Sequence, residues 1–264
     1  MMVSLEAFVK YLHDAWRPAL LNLLLPMYCR QCGVRLLTEE NNFFCPACWE
    51  AAPRIERPFC TYCGKPHQKM VGLGSPVNFP CAACREKPNP HVRRIWGTVQ
   101  YDGAISLAIR LFKFQGKQKL REPLAALMVE FALREMPPDG YDCIVPVPLY
   151  KTRRRERGFN QSLLLAEVLA RDAFPGAALD ESLKRIRPTR AQSRLKPEQR
   201  TLNVRGAFAV AGEALKGKRV LLVDDVITTG DTITECAKAL RRAGAQEVDA
   251  FAVALAFSRI RFDL

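Results

Sequence analysis

The sequence predicts an α/β fold, a doubly wound and mostly parallel sheet, with a small cysteine-held module on its N-terminal side. Three observations predict it. Strand-like and helix-like patterns alternate from residue 91 onward, and eight of the ten cysteines fall in four Cys-x-x-Cys pairs. The third is "RVLLVDDVITTGDT", an apolar strand running into Asp224 and Asp225 and then into a threonine- and glycine-rich turn. At 264 residues the chain holds one large domain, or a domain plus a small module.

Residues 1–25 place Leu5, Phe8, Val9, Leu12, Trp16, Leu20 and Leu23 at helical spacing, with Pro18 kinking or restarting the helix. Such a stripe packs on the protein's own body; a membrane-surface or partner-binding helix is the alternative. The apolar run "RPALLNLLLPMYC" is too short to span a bilayer, lacks a small-residue cleavage site and is interrupted by Pro18 and Pro26. The expectation is therefore no membrane span and no secretory signal.

Residues 26–90 carry the pairs Cys29/Cys32, Cys45/Cys48, Cys60/Cys63 and Cys81/Cys84. Two thiolates from one tight knuckle meeting two from another make a tetrahedral zinc site. Gly33 and Gly64 follow the second cysteine of their pairs, where a knuckle turn needs positive φ. The segment thus reads as a double zinc ribbon holding two structural Zn2+, ligated sequentially (29–48, then 60–84) in preference to an interleaved arrangement. Modules this small bury little core, so metal supplies the folding free energy. Cys143 and Cys236 sit among apolar residues and read as buried thiols. Metal-bound thiolates imply a reducing compartment, hence a cytoplasmic protein. The segment "EKPNPHVRR" reads as a linker.

From residue 91 to 264, "RIWGTVQY" reads as a strand, and "AISLAIRLFKFQ" and "EPLAALMVEFALREM" as helices. "YDCIVPVPL" is a strand ending in prolines, and "NQSLLLAEVLARDA" an amphipathic helix. "GAFAV", "RVLLVDD", a helix over about 231–243 and "EVDAFAVALAF" follow. Such alternation makes a parallel sheet whose ligands bind outside the carboxyl ends of the strands, where Asp224 lies.

The formal charge is +13, and two Zn(Cys)4 centres, each carrying −2, lower it only to about +9. A phosphate-rich partner fits this balance; a solvated basic surface is the alternative. No Gly-Lys dipeptide is followed by Ser or Thr, which removes a P-loop nucleotidase, and no dinucleotide-binding glycine fingerprint is present. A receiver domain would need several strands after its Asp pair, whereas one strand follows here. What remains is a helix mouth at "TTGDT", whose N–H groups, dipole and hydroxyls can cradle a monophosphate. Beside it, two carboxylates can accept from sugar hydroxyls or hold a hydrated Mg2+. That describes a ribose 5-phosphate site, against an ordinary βα turn with Asp231 as N-cap.

The stretch "VDDVITTGDT" resembles the PRPP-binding motif of type I phosphoribosyltransferases. Together with the cysteine pairs, "VPVPLYKTRRRERGFNQS" and "TRAQSRLKPEQRTLNVRGAF", the chain from about Pro26 to Ser258 resembles the ComF family of ComFC- and GntX-type proteins. The resemblance implies a phosphoribosyltransferase-like domain over 91–264. It implies that Asp224 and Asp225 contact the ribose hydroxyls of PRPP, and that Val226, Thr228, Thr229, Gly230, Asp231 and Thr232 form the turn that holds its 5-phosphate. A pyrophosphate loop then falls on Lys151, Arg153, Arg154, Arg155, Arg157 and Gly158, with a solvated or nucleic-acid-binding loop as the alternative. A closing loop falls on 187–206, which contains Arg187, Arg190, Gln192, Arg194, Lys196, Arg200 and Arg205. Asp224, Asp225 and Arg190 are the candidate catalytic residues, with Mg2+ arriving with PRPP. The resemblance further implies a role in natural transformation, with single-stranded DNA and a competence helicase as partners. The basic clusters at 110–121, 151–157 and 184–205 suit an electrostatic groove. The alternatives are a Mg-dependent transferase with an unidentified acceptor, and ribbons that only dock partners.

Overall fold

The computed structural model describes residues 24, 26–36, 43–68, 77–188 and 203–257. The helix expected over 1–25 falls outside these, Leu24 excepted. Five parallel strands form the central sheet in the order β3–β9–β8–β4–β5: β3 (Ile95–Gln100), β4 (Cys143–Pro146), β5 (Ala178–Leu179), β8 (Arg219–Ile227) and β9 (Glu247–Leu255). The two long central strands are buried on both faces, which is why "VLLV" and "AFAVAL" run apolar rather than alternating. β1 (Met27–Tyr28) pairs antiparallel with β2 (Arg35–Leu36), and β6 (Leu183–Arg185) pairs antiparallel with β7 (Phe208–Val210). The expected "GAFAV" strand therefore exists but lies outside the main sheet.

The helices are α1 (Pro46–Glu50), α2 (Ala82–Glu86), α3 (Gly103–Gln115), α4 (Arg121–Glu135), α5 (Lys151–Arg157), α6 (Gln161–Asp172) and α7 (Asp231–Arg242). From β4 the chain crosses through α6 to β5 on one side, and from β8 through α7 to β9 on the other. Right-handed crossovers in opposite directions put α6 and α7 on opposite faces. Adjacent strands β4 and β8 are then the topological switch point, where a crevice opens beyond their carboxyl ends.

Two local expectations change. The basic segment 151–157, read as a loop, forms the short helix α5. It contains Lys, Arg and Glu without Gly or Pro, and Gly158 ends it at φ 81°. The "linker" 86–94 is tied down at its far end. The Arg93 guanidinium makes a two-pronged bond to Asp249, at 2.9 and 2.8 Å. The Tyr141 hydroxyl also donates to Asp249 (2.8 Å), and Trp96 Nε1 donates to Tyr141 (3.2 Å).

The cysteine module packs directly on the sheet. Its segment 53–55 covers the free edge of β3: Ile55 N–H donates to the Thr98 carbonyl (2.8 Å), and Gln100 N–H donates to Pro53 (2.8 Å). Tyr62 accepts from Ile95 N–H at 2.7 Å. Gly64 follows at φ +70°, and a Cβ there would lie 2.8 Å from the Ile95 carbonyl oxygen, so conformation and close approach both require glycine. Phe59 is buried and meets Trp96 edge-on (6.3 Å) and Phe131 (6.1 Å), making one core of module and sheet.

Removing the Arg93 side chain leaves Asp249, only 1% exposed, with one neutral donor. Arg93→Ala is expected to destabilise the protein by about 3 kcal/mol. Urea unfolding read by tryptophan fluorescence measures it; a loss below about 0.5 kcal/mol would show that the pair contributes no more than a surface ion pair.

Candidate functional site

A cavity of about 500 Å3 opens at the switch point. Val147–Tyr150 after β4 and residues 224–228 and 230–233, from β8 into α7, form two of its walls. Arg110, Lys113 and Phe114 enter from α3, Arg153 and Arg157 from α5, and Arg185 from β6. A narrow site lined by five cations and two adjacent carboxylates suits a ligand with both phosphate and hydroxyl groups.

The carboxylates are buried, Asp224 at 9% and Asp225 at 1% exposure. Asp224 Oδ1 accepts from the Ser162 hydroxyl (2.9 Å) and from the Asp225 N–H (2.9 Å). Asp225 Oδ1 accepts from Val226 N–H at 3.0 Å. Asp225 Oδ2 has no hydrogen bond; the Lys113 ammonium stands 2.7 Å from it as an ion pair. Burial, and then the charge of Asp225, push Asp224 up to about 7.

The turn after the strand is set by Gly230, at φ 80° with open space where a Cβ would go, so backbone conformation alone demands glycine. Gly230 is the N-cap of α7 and no side chain caps the helix, so its positive end faces the cavity. Thr228, Asp231 and Thr232 line the cavity, while the Thr229 hydroxyl donates to Asp231 Oδ2. Val226 lines it as well.

Of the basic segment, only Arg153 and Arg157, one helical turn apart, line the cavity. Arg157 lies over the Phe114 ring at 5.4 Å and donates to Gln161. Lys151, Arg154, Arg155 and Gly158 are exposed outside it. Arg190, Gln192, Arg194, Lys196 and Arg200 fall outside the described residues. The flanks of that segment are held: Ile186 N–H donates to Ala207 (2.9 Å), Arg187 to the Arg205 carbonyl, and Gly206 N–H to Glu235 Oε2 (2.9 Å).

Reading the sequence missed Lys113, Arg110, Phe114 and Ser162. Arg110 and Lys113 lay in a cluster assigned to nucleic acid; their i, i+3 spacing on one helix was the available signal. Ser162 carried none, because its partner is 62 residues away.

The eight ribbon cysteines come together in two groups, Cys29/Cys32/Cys45/Cys48 and Cys60/Cys63/Cys81/Cys84, sequential rather than interleaved. All sulfurs of a group lie within 4.8 Å, with Cys32–Cys45 at 3.7 Å and Cys63–Cys81 at 3.9 Å. Tetrahedral zinc with bonds of about 2.3 Å puts its sulfurs about 3.8 Å apart, so both groups fit structural zinc. Backbone N–H groups of Tyr62, Cys63 and Cys81 point at Cys60 Sγ. Those three N–H groups stabilise a thiolate at Cys60, the form a zinc ligand takes. Cys143 and Cys236 are buried thiols apart from both groups. Among the described residues no helix is long and apolar enough to cross a membrane.

The phosphoribosyl transferase domain model matches residues 160–261, and the double zinc ribbon domain model matches residues 20–85. The chain is 34% identical over 230 residues to DNA utilization protein YhgH of Salmonella typhi, spanning 86% of this chain and 96% of that one. It is 33% identical over 235 residues to competence protein F of Haemophilus influenzae, with the same two shares. With competence protein ComFC of Bacillus subtilis it shares 28% identity over 215 residues, 79% of this chain and 82% of that one.

Metal analysis of purified protein is expected to give two zinc per chain, and Cys60→Ser about one; retention of both zincs by the variant would refute the grouping. Asp224 has a second test. Its folded value, about 7, exceeds its ordinary 3.8, so its ionised form opposes folding. This contribution falls as pH rises from about 4 to 7 and is level above, a loss on the order of 2–4 kcal/mol. Asp224→Asn keeps an acceptor for Ser162 and is expected to stabilise the protein at pH 8 more than at pH 5, read as melting temperature. An equal effect at both pH values would show that Asp224 titrates normally.

Proposed function

The chain belongs to the ComF family, and from that membership we propose a ComF-type protein whose α/β domain binds PRPP or a related ribose 5-phosphate. It acts in natural transformation, handling incoming single-stranded DNA in the cytoplasm beside a competence helicase. The observation that carries the ligand is the pairing, in one cavity, of two buried carboxylates with an uncapped helix mouth one turn away.

In this reading the Asp224 and Asp225 carboxylates accept from the ribose hydroxyls. Thr228, Gly230, Asp231 and Thr232 enclose the 5-phosphate at the start of α7. Arg153 and Arg157 face the pyrophosphate, where two guanidiniums offset several negative charges. Mg2+, when bound with PRPP, supplies further neutralisation of the leaving pyrophosphate. The DNA reading draws on the names of the relatives and on the exposed cations Lys151, Arg154 and Arg155, which flank the cavity without entering it. An aromatic side chain, Phe114, stands 68% exposed at the cavity under Arg157, and its other face can stack on an unpaired base.

A second reading, a Mg-dependent phosphoribosyltransferase with structural ribbons, is favoured by the five cations around the cavity, more than a 5-phosphate alone requires. Transfer would break the bond from C1 to pyrophosphate and form one from C1 to an acceptor nucleophile.

Calorimetric titration with PRPP–Mg tests the ligand. The double variant Asp224→Asn/Asp225→Asn is expected to bind at least about 30-fold more weakly, equivalent to about 2 kcal/mol. Absence of binding by the wild type would overturn the proposal. For single-stranded DNA, log affinity against log salt is expected to slope by about −0.7 per phosphate contacted; a flat line would remove the DNA reading. Release of pyrophosphate on adding a candidate acceptor would favour the transferase.

A further inference from the structure

Lys113, like Arg110 and Arg185, is a cation of the cavity that the reading above leaves without a task, and it forms an ion pair with the acid pair in the structure. It projects from α3, a helix outside the motif that carries the acid pair, and its side chain keeps 21% exposure toward the cavity. Its ammonium stands 2.7 Å from Asp225 Oδ2, an oxygen with no hydrogen bond on a side chain 1% exposed. Two of the other three oxygens accept hydrogen bonds. Asp224 Oδ1 takes the Ser162 hydroxyl and the Asp225 N–H, and Asp225 Oδ1 takes Val226 N–H.

Two adjacent carboxylates in low dielectric need a cation. At phosphate-transfer sites such as those of kinases that need is often met by a divalent ion with oxygen ligands. Here an ammonium already stands beside one of the carboxylate oxygens, Asp225 Oδ2. An ammonium has three donors, so Lys113 can stand beside Asp225 and still turn donors to a ligand oxygen in the cavity. Arg110, Arg153 and Arg157 also line the cavity but make no ion pair with either carboxylate among the described residues.

Resting on the ribose 5-phosphate reading of this cavity, we propose that Lys113 is the resident counter-ion of the acid pair and a ligand-contacting residue. The site therefore takes a ribose 5-monophosphate with no divalent ion.

The test is calorimetric titration of the full chain with ribose 5-phosphate, with 5 mM Mg2+ and in divalent-free buffer. The buffer is stripped on a chelating resin and contains no soluble chelator, so the ribbon zinc stays bound. Wild type is expected to bind equally in both, within about twofold. Lys113→Met is expected to lose at least about tenfold in divalent-free buffer and to recover most of it with Mg2+, which can then occupy the vacated place on Asp225. Lys113→Arg keeps the charge and is expected to remain independent of Mg2+, a rescue that a packing role would not produce. Zinc content and melting temperature of both variants establish that they are folded; if Lys113→Met is not, the Lys113→Arg comparison decides. A wild type that needs Mg2+ for ribose 5-phosphate overturns the inference, as does a Lys113→Met variant that binds like wild type without it. If PRPP–Mg binds while ribose 5-phosphate does not, this inference fails alone. If neither binds, the ribose 5-phosphate reading fails with it.

Discussion

The constraint on which the site depends is the burial of two neighbouring carboxylates at the end of a central strand. Water cannot solvate them there, so the fold must supply partners from elsewhere. Ser162 comes from the first turn of α6, Lys113 from α3, and the N–H groups of Asp225 and Val226 from the strand itself. Each partner is held by its own packing. Asn160 caps α6 through the Ser162 N–H, and Phe112, one residue before Lys113, is buried against Phe159. The acid pair thus connects three elements that the chain order keeps far apart, and the cavity takes its shape from that convergence.

The parallel order of the sheet makes this possible. Only at the switch between β4 and β8 do the following loops leave in opposite directions, so only there can a crevice form without a helix covering it. The basic residues after β4 and the acidic residues near the end of β8 line the same opening. Opposite charges in one opening orient a ligand that carries phosphate at one end and hydroxyls at the other.

Much of this was legible in the sequence, for identifiable reasons. Central strands buried on both faces read as unbroken apolar runs, cysteine knuckles have fixed spacing, and the acidic strand end with its glycine turn is contiguous in the chain. What escaped was what depends on distance along the chain. Lys113 is 112 residues from Asp225, and its role follows from how α3 is placed rather than from any local pattern. Segment 151–157 read as a loop because the resemblance puts a pyrophosphate loop there, yet propensity made it a helix and sorted its arginines into inner and outer faces. The 86–94 segment read as a linker, since its anchor, Asp249, lies 156 residues on from Arg93.

The covering of β3 by residues 53–55 has a consequence for the life of the protein in a cell. A strand at the rim of a sheet is a template for any other extended chain, and here the cover is itself held by the thiolate module through Phe59 and Tyr62. Metal starvation or thiol oxidation would lift that cover and leave "IWGTVQ", an apolar segment with no charge, open to pairing between molecules. The cysteine module therefore shields the rim of the sheet as well as holding its own fold.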